Sequence, residues 1–417
     1  MSRITRRGFV GTAAGATLAG HRAFASGPAS APIEQEPSGR PPGTKVNVAV
    51  CTPPLGTPRR SLGYFANAPQ VILTPKQIVL SYGMAEIDKL QNLQTHHHYH
   101  SVSVHHWSIS DDGGHNWVTT DRPPWVGKIV DASYGEPLHD GGMVTITFMR
   151  SHVLSYALIQ KGQVGWMPYS NGLPSVQAVP LTDVGPYPNF KFHTMDRTSD
   201  GALLAAGSAY SQSYGGAGMR GTSVFLRSED EGRSWRYFSH IPNPHPFWWG
   251  EPGILAGPNG KVLALLRVDR PRAVTKTEAR HDPYARWDYL YQAESHDNGL
   301  TWSRPVRTLV WGHPAYLKRL QSGALLLVYG HRRPPFSVRA ILSRDEGRSW
   351  DLKTMKELRV WEPGNSDIGY PQATQLEDGT ILCAYYGYST EKVEGRVNPC
   401  GIYVSLFDEI WLEKGNS

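Results

Sequence analysis

The sequence predicts an all-β chain built as six four-stranded antiparallel blades around one axis, a β-propeller. Two repeats and one absence point there. A turn phrase recurs four times, a longer unit recurs six times at a period near 60 residues, and no stretch beyond the N-terminus keeps an apolar period of 3.6 over about ten residues. Gly and Pro make up 75 of the 417 residues, a share that suits many tight turns.

The short phrase is Ser-x-Asp-x-Gly-x-x-Trp. It reads Ser110 to Trp117, Ser228 to Trp235, Ser295 to Trp302 and Ser343 to Trp350. Each copy makes sense as a hairpin corner: the Asp accepts from turn amides, the Gly supplies a positive φ, and the Trp folds back into the core. Nothing in the phrase carries chemistry.

The longer unit is a polar or aromatic opening residue, then a run of aliphatics beyond a turn. Its opening positions are Asn67, Glu136, His193, Glu251, His313 and Tyr370, separated by 69, 57, 58, 62 and 57 residues. That length holds four strands, and the phrase falls in blades 1, 3, 4 and 5. Ring closure is expected from the N-terminal strand near Val46–Cys51 lying in the last blade beside 401–407. If those strands are adjacent, a Cys51–Cys400 disulfide is within reach; ordinary core or edge thiols are the alternative. Three cysteines without Cys-x-x-Cys spacing give no zinc signature.

At the N-terminus, Arg6-Arg7 precedes a short apolar run, Val10 to Gly20, and Ala23-Phe24-Ala25 offers a cleavage site. This is the pattern of a twin-arginine export signal over residues 1–25, read by the bacterial Tat machinery, and it is too short for a membrane anchor. The expected destination is the periplasm or the exterior. Loss of this segment takes Arg3, Arg6, Arg7 and Arg22 and no acid, so the net charge falls from +6 to +2. Nucleic-acid and anionic-membrane binding lose their compositional support. Residues 26–44, rich in Pro, Ser and Gly, read as a linker, and the propeller is expected over 45–417.

Inner strands of a propeller begin at the axial funnel, so the six opening residues should converge there. Five of them can titrate, a composition suited to binding or catalysis and poor for packing alone; polar plugs in a solvated channel are the other reading. Trp248, Trp249, Tyr385 and Tyr386 flank the openings and could present ring faces to a sugar, or pack between blades.

The four phrases are Asp-boxes, and the chain resembles the sialidase superfamily of six-bladed propellers. The resemblance extends to Gly369-Tyr370-Pro371-Gln372, which is similar to the family segment bearing a tyrosine nucleophile. It also extends to Glu251, similar to the glutamate that takes that tyrosine's proton, and to Arg267, similar to one of three arginines gripping a substrate carboxylate. A phenol with a pKa near ~10 needs such a base at neutral pH, and a neutral nucleophile suits attack beside an anionic sugar. Among the arginines of 332–339 the resemblance favours Arg332, with Arg339 a further candidate. The family's acid/base aspartate falls nearest Asp88. Asn67 stands where the family usually holds an arginine, so one arm of the clamp is missing.

The resemblance implies an exo-acting glycosidase that removes a terminal, acidic sugar from a glycan, with Tyr370, Glu251 and Asp88 catalytic and Arg267, Arg332, His313, His193, Glu136 and Asn67 around the substrate. No cofactor or resident metal is expected. His96, His98 and His100 would share a strand face if they lie on a strand, and would suit a metal or a histidine acid/base in place of Asp88; a surface cluster with no ligand is the other reading, since no carboxylate accompanies them at a metal-site spacing. Two other readings stay open. A polysaccharide lyase acting at a uronic acid could use His193 or His313 with Tyr370 and Arg267. A non-catalytic propeller could bind glycan only.

Overall fold

A computed structural model describes residues 40–51, 69–85, 103–120, 124, 126–150, 153–159, 176–180, 189–210, 221–243, 248–269, 288–361, 368–388, 392–393, 396–397 and 400–414. The segment expected to be an export signal, most of the expected linker, Asn67, Asp88 and the histidines at 96–100 lie outside these residues.

The chain opens with β1 (Val46–Cys51) and then builds successive meanders. The first is β2 (Gln70–Leu73), β3 (Ile78–Ala85), β4 (Ser103–Ser110) and β5 (Val118–Thr120), with β6 (Asp131–Ala132) on the free side of β2. The second is β7 (Glu136–Pro137), β8 (Met143–Arg150), β9 (Val153–Ile159) and β10 (Val176–Pro180). The third is β11 (Asn189–Arg197), β12 (Leu203–Tyr210), β13 (Gly221–Ser228) and β14 (Arg236–His240). The fourth is β15 (Trp248–Ala256), β16 (Val262–Asp269), β17 (Tyr289–Ser295) and β18 (Val306–Trp311). The fifth is β19 (Ala315–Arg319), β20 (Leu325–His331), β21 (Phe336–Ser343) and β22 (Asp351–Trp361). The sixth is β23 (Gly369–Gln375), β24 (Ile381–Tyr388) and, after the small hairpin β25 (Lys392–Val393) and β26 (Arg396–Val397), β27 (Cys400–Phe407).

The fold is an all-β propeller. Its inner strands neighbour one another in sequence: β7 by β11, β11 by β15, β15 by β19, β19 by β23, and β23 by β2, with β6 touching both β2 and β7. Apart from the two-stranded β25–β26 hairpin, the blades form five hydrogen-bonded sheets among the described residues, not six. The second and third meanders are joined into one eight-stranded sheet, because β8 pairs with β11 at Asn189 to Arg150 and Phe190 to Met149.

Ring closure follows the expectation, with β1 antiparallel to β27 as the outermost strand of the sixth blade. The disulfide does not: Cys51 is a free thiol and stands opposite Ile402, out of register with Cys400. The folded body also starts before Lys45. Arg40 donates to Asp408 at 2.7 Å, and the Gly43 amide donates to the same carboxylate at 2.8 Å. Asp408 in turn caps the short helix α1 (Glu409–Glu413) by accepting from the Trp411 amide.

The Asp-boxes join third to fourth strands, and each turn is wired alike. In the second copy Ser228 Oγ donates to Asp230 Oδ1 at 2.8 Å and accepts from the Gly232 amide at 2.9 Å, while the Ser234 amide donates to Asp230 Oδ1 at 2.8 Å. The glycine has a second function. At φ +80 a Cβ on Gly232 would lie 2.6 Å from Val144 of the preceding blade. Gly299 meets Leu204, Gly347 meets Leu263, and Gly114 meets Leu382 and Leu406 in the same way. Each box therefore seats its turn on the apolar second strand of the blade before it, where buried aliphatics contribute about 1.5–3 kcal/mol apiece.

Candidate active site

The opening positions are best counted back from the glycine that turns the first strand of each blade into the second. Glu251 lies nine residues before Gly260, and Tyr370 nine before Gly379. Both sit in bulges, between Gly250 and Gly253 in β15 and between Gly369 and Gln372 in β23. Both precede proline and both hold a left-handed backbone, φ +39 at Glu251 and +47 at Tyr370. For a residue with a side chain this costs of the order of 1–3 kcal/mol, and such outliers gather at working sites. The bulge turns the side chain out of the ladder and into the funnel.

There the two meet. The Tyr370 hydroxyl donates to Glu251 Oε1 at 2.7 Å, and Arg267 NH1 donates to the Tyr370 oxygen at 3.1 Å. The same Arg267 nitrogen donates to Glu251 Oε2. Arg267 comes from β16, opposite Gly250 in the ladder, so one blade supplies both the carboxylate and its guanidinium. Lys191 Nζ stands 4.0 Å from Glu251 Oε1. Arg332 lies over the Tyr370 ring, 5.4 Å from its centroid, and donates to the Ile368 carbonyl at 3.0 Å and the Tyr386 hydroxyl at 3.3 Å. Tyr386 stacks on Tyr370 with centroids 5.9 Å apart.

Burial would by itself raise the Glu251 pKa, but Arg267 and Lys191 overcome it and hold the carboxyl well below the usual range. Burial, and then the facing carboxylate, push the Tyr370 phenol well above 10. The resting pair is thus a neutral phenol hydrogen-bonded to an ionised carboxylate. The proton can cross only when negative charge on the phenol oxygen is drawn off by an electrophile, and Arg267 is in place to steady that oxygen.

His193 and His313 flank this centre. Burial, reinforced by Lys191 and Arg267 and opposed by Glu251, pushes His193 down to about 3, so its ring is neutral. Its Nε2 lies 3.1 Å from Ser208 Oγ. His313 is lowered by burial and then by Arg267, despite a hydrogen bond of 3.3 Å to Asp288.

Glu136 is not at an opening position. It lies five residues before Gly141, near the far end of its strand, one step from the pairing Pro137 to Met143. It belongs to a separate axial cluster with Asp131, Asp196, Lys318 and Arg197. Lys318 reaches Asp131 at 2.6 Å, Thr374 donates to Asp131 at 2.5 Å, and Arg197 stands 3.4 Å from Glu136. Burial, then Asp196, push Glu136 up to about 8; burial pushes Asp196 up to about 6. The 69-residue gap before Glu136 was the signal that this position was out of step.

Other candidates also sort themselves. Arg339 is committed to Glu357 at 2.7 Å, and Arg333 stacks on Trp311 at 4.4 Å, which leaves Arg332 as the arginine of that segment against Tyr370. Trp249 and Tyr385 are core residues, 1% and 0% exposed. Lys191, Ser208 and Asp288 were missed. Lys191 had a signal, since it shares a strand face with His193 two residues on.

Residues 193–383 match a family model described as a BNR repeat-like domain. No curated protein matches the chain. Among solved structures, a protein of unknown function from Dyadobacter fermentans is similar with a TM-score of 0.58 at 19% identity, over 86% of this chain and 97% of that one. Trypanosoma rangeli sialidase in complex with the inhibitor DANA is looser, with a TM-score of 0.46 at 14% identity, over 84% of this chain and 56% of that one. The intramolecular trans-sialidase from Ruminococcus gnavus in complex with oseltamivir carboxylate gives 0.48 at 13%, over 85% and 96%. At these identities the likeness is one of fold. The chain is a β-propeller, and the stretch similar to the BNR repeat-like model runs from its third blade into its sixth.

Proposed function

We propose that the protein is an exo-acting glycoside hydrolase that releases a terminal, acidic sugar from a glycan with retention of configuration. The observation that carries this is the 2.7 Å hydrogen bond from Tyr370 to the buried, ionised Glu251 with Arg267 on the phenol oxygen. In the first step the Tyr370 oxygen attacks the anomeric carbon while its proton passes to Glu251. The glycosidic bond breaks and the departing oxygen takes a proton from an acid, for which the resemblance names Asp88. In the second step water, deprotonated by that same group, displaces the tyrosine, which recovers its proton from Glu251. Arg267 and Arg332 bind the sugar's carboxylate.

From the twin-arginine pattern of residues 1–25 we infer an activity in the periplasm or outside the cell, on glycans met there. Product analysis on a panel of glycans ending in acidic sugars tests the reading. A hydrolase yields a free saturated sugar. An unsaturated uronate absorbing in the ultraviolet would instead establish a lyase, and binding without turnover would leave a glycan-binding protein.

A further inference from the structure

The bulge that carries Glu251 leaves its own backbone groups outside the ladder. Register is lost from Gly250 to Gly253, so the Glu251 amide and the Pro252 carbonyl need partners from elsewhere, and the Ile254 amide, back in register opposite Ala264, bonds the same neighbour as that carbonyl. All three find their partners on the preceding blade. The Glu251 amide donates to Ser208 Oγ at 2.6 Å. Thr194 Oγ1 donates to the Pro252 carbonyl at 2.9 Å and accepts from the Ile254 amide at 3.3 Å. Ser208 is 0% exposed and Thr194 5%, so water cannot substitute for either.

We propose that Ser208 and Thr194, with His193 behind Ser208, are positioning residues that hold Glu251 in its left-handed conformation and so set its carboxylate against the Tyr370 hydroxyl. The donor count supports one arrangement. Ser208 Oγ receives the amide hydrogen of Glu251 and has one hydrogen of its own to give. His193 Nε2, 3.1 Å away, is its acceptor. That requires an imidazole with its hydrogen on Nδ1 and Nε2 bare, and burial keeps the ring neutral. His193 Nε2 is thereby spent on the scaffold and is not a substrate contact. The strained glutamate and its proton acceptor function belong to one blade, and the restraint that makes them usable belongs to another. The inference rests on the Tyr370–Glu251 reading for its kinetic consequence, but its structural consequence stands independently.

The test is a crystal structure of Ser208→Ala with steady-state kinetics on a glycan that the wild type cleaves, and Ser208→Cys takes its place if the alanine variant does not fold. We expect the Glu251 backbone to leave φ near +39 and its carboxylate to draw back from Tyr370. We expect kcat to fall about 10- to 100-fold with KM little changed, the size of effect that a misplacement of about 1 Å produces. His193→Gln, which keeps an acceptor for Ser208, should retain more kcat than His193→Leu. An unchanged Glu251 conformation overturns the inference whatever the kinetics. A displaced Glu251 with full kcat sustains the positioning role and overturns the catalytic reading of Glu251.

Discussion

Tyr370 and Glu251, 119 residues apart in the chain, hold the same left-handed position in the inner strands of two blades and share a 2.7 Å hydrogen bond. Each is nine residues from its turn glycine, each precedes proline, and each occupies a bulge. One backbone device, used twice, aims a nucleophile and its base at each other.

If the two act as a unit, their removal is not additive. Tyr370→Phe and Glu251→Gln should each lower kcat/KM by at least about 100-fold, and the double variant should be little worse than the more damaging single one. Additive losses, measured in a double-mutant cycle, would separate the two residues into independent roles.

The Asp-boxes should matter for folding and not for turnover. Asp230→Ala or Asp345→Ala leaves the turn amides and the box serine without an acceptor and should cost about 1–3 kcal/mol in denaturant unfolding. Specific activity of the folded fraction should stay at the wild-type level. A variant of full stability and no activity would contradict the placement of these turns away from the site.

The axial cluster gives stability a pH dependence of defined sign. Burial, then Asp196, raise Glu136 to about 8 from an ordinary 4.5, and burial raises Asp196 to about 6 from 3.8. The folded protein therefore keeps protons that the unfolded chain has already released, and stability falls as pH rises between those limits. The melting temperature should drop from pH 7 to pH 9, above the range in which the buried, neutral His193 and His313 act in the opposite sense, and Glu136→Gln should flatten that slope. Glu251 acts in the opposite sense: held below its ordinary value, it contributes stability above pH 4.5 that is lost only as the solution becomes more acid than that. A wild-type slope unchanged in the Glu136 variant would remove the cluster as its source.

Substrate choice should reflect the clamp. The proposed clamp rests on Arg267 and Arg332; by the resemblance Asn67 falls where the family holds a third arginine, and Arg339 is tied to Glu357. Charge-assisted arginine contacts are worth about 1.5–3 kcal/mol, or roughly tenfold to a hundredfold in binding. Ordinary α-linked sialosides should be poor substrates beside another terminal acidic sugar, and steady-state assays across both classes decide it.

What the sequence made legible is what is local to a blade. The Ser, Asp and Gly of each box bond within eight residues, so spacing alone revealed them, whereas the Trp bonds inside the box only in the first two copies and reaches Ser239 and Gln292 in the last two. Tyr370 and Glu251 were legible because each opens a unit ahead of a turn and an aliphatic run, and because the segments around them resemble those of the sialidase family. What lay hidden is what passes between blades. Ser208 reaches a bulge 43 residues on, the box glycines fit against the preceding blade, and β8 borrows β11 to merge two sheets. Glu136 was misplaced because β7 is only two residues long and its aliphatic neighbour β8 is the same in any register. Cys51 failed to pair because the register of the terminal strand sets it opposite Ile402, two residues from Cys400, and even without the bulge near it the partner would be Gly401.

The most direct test of the central claim is peptide mass spectrometry of the protein after reaction with a fluorinated glycosyl donor whose leaving group is good enough to form, but not hydrolyse, a covalent intermediate. The account predicts one sugar attached to the peptide bearing Tyr370, with no label in Tyr370→Phe. Turnover of the parent glycan with no adduct, or with the sugar on any other residue, would contradict it.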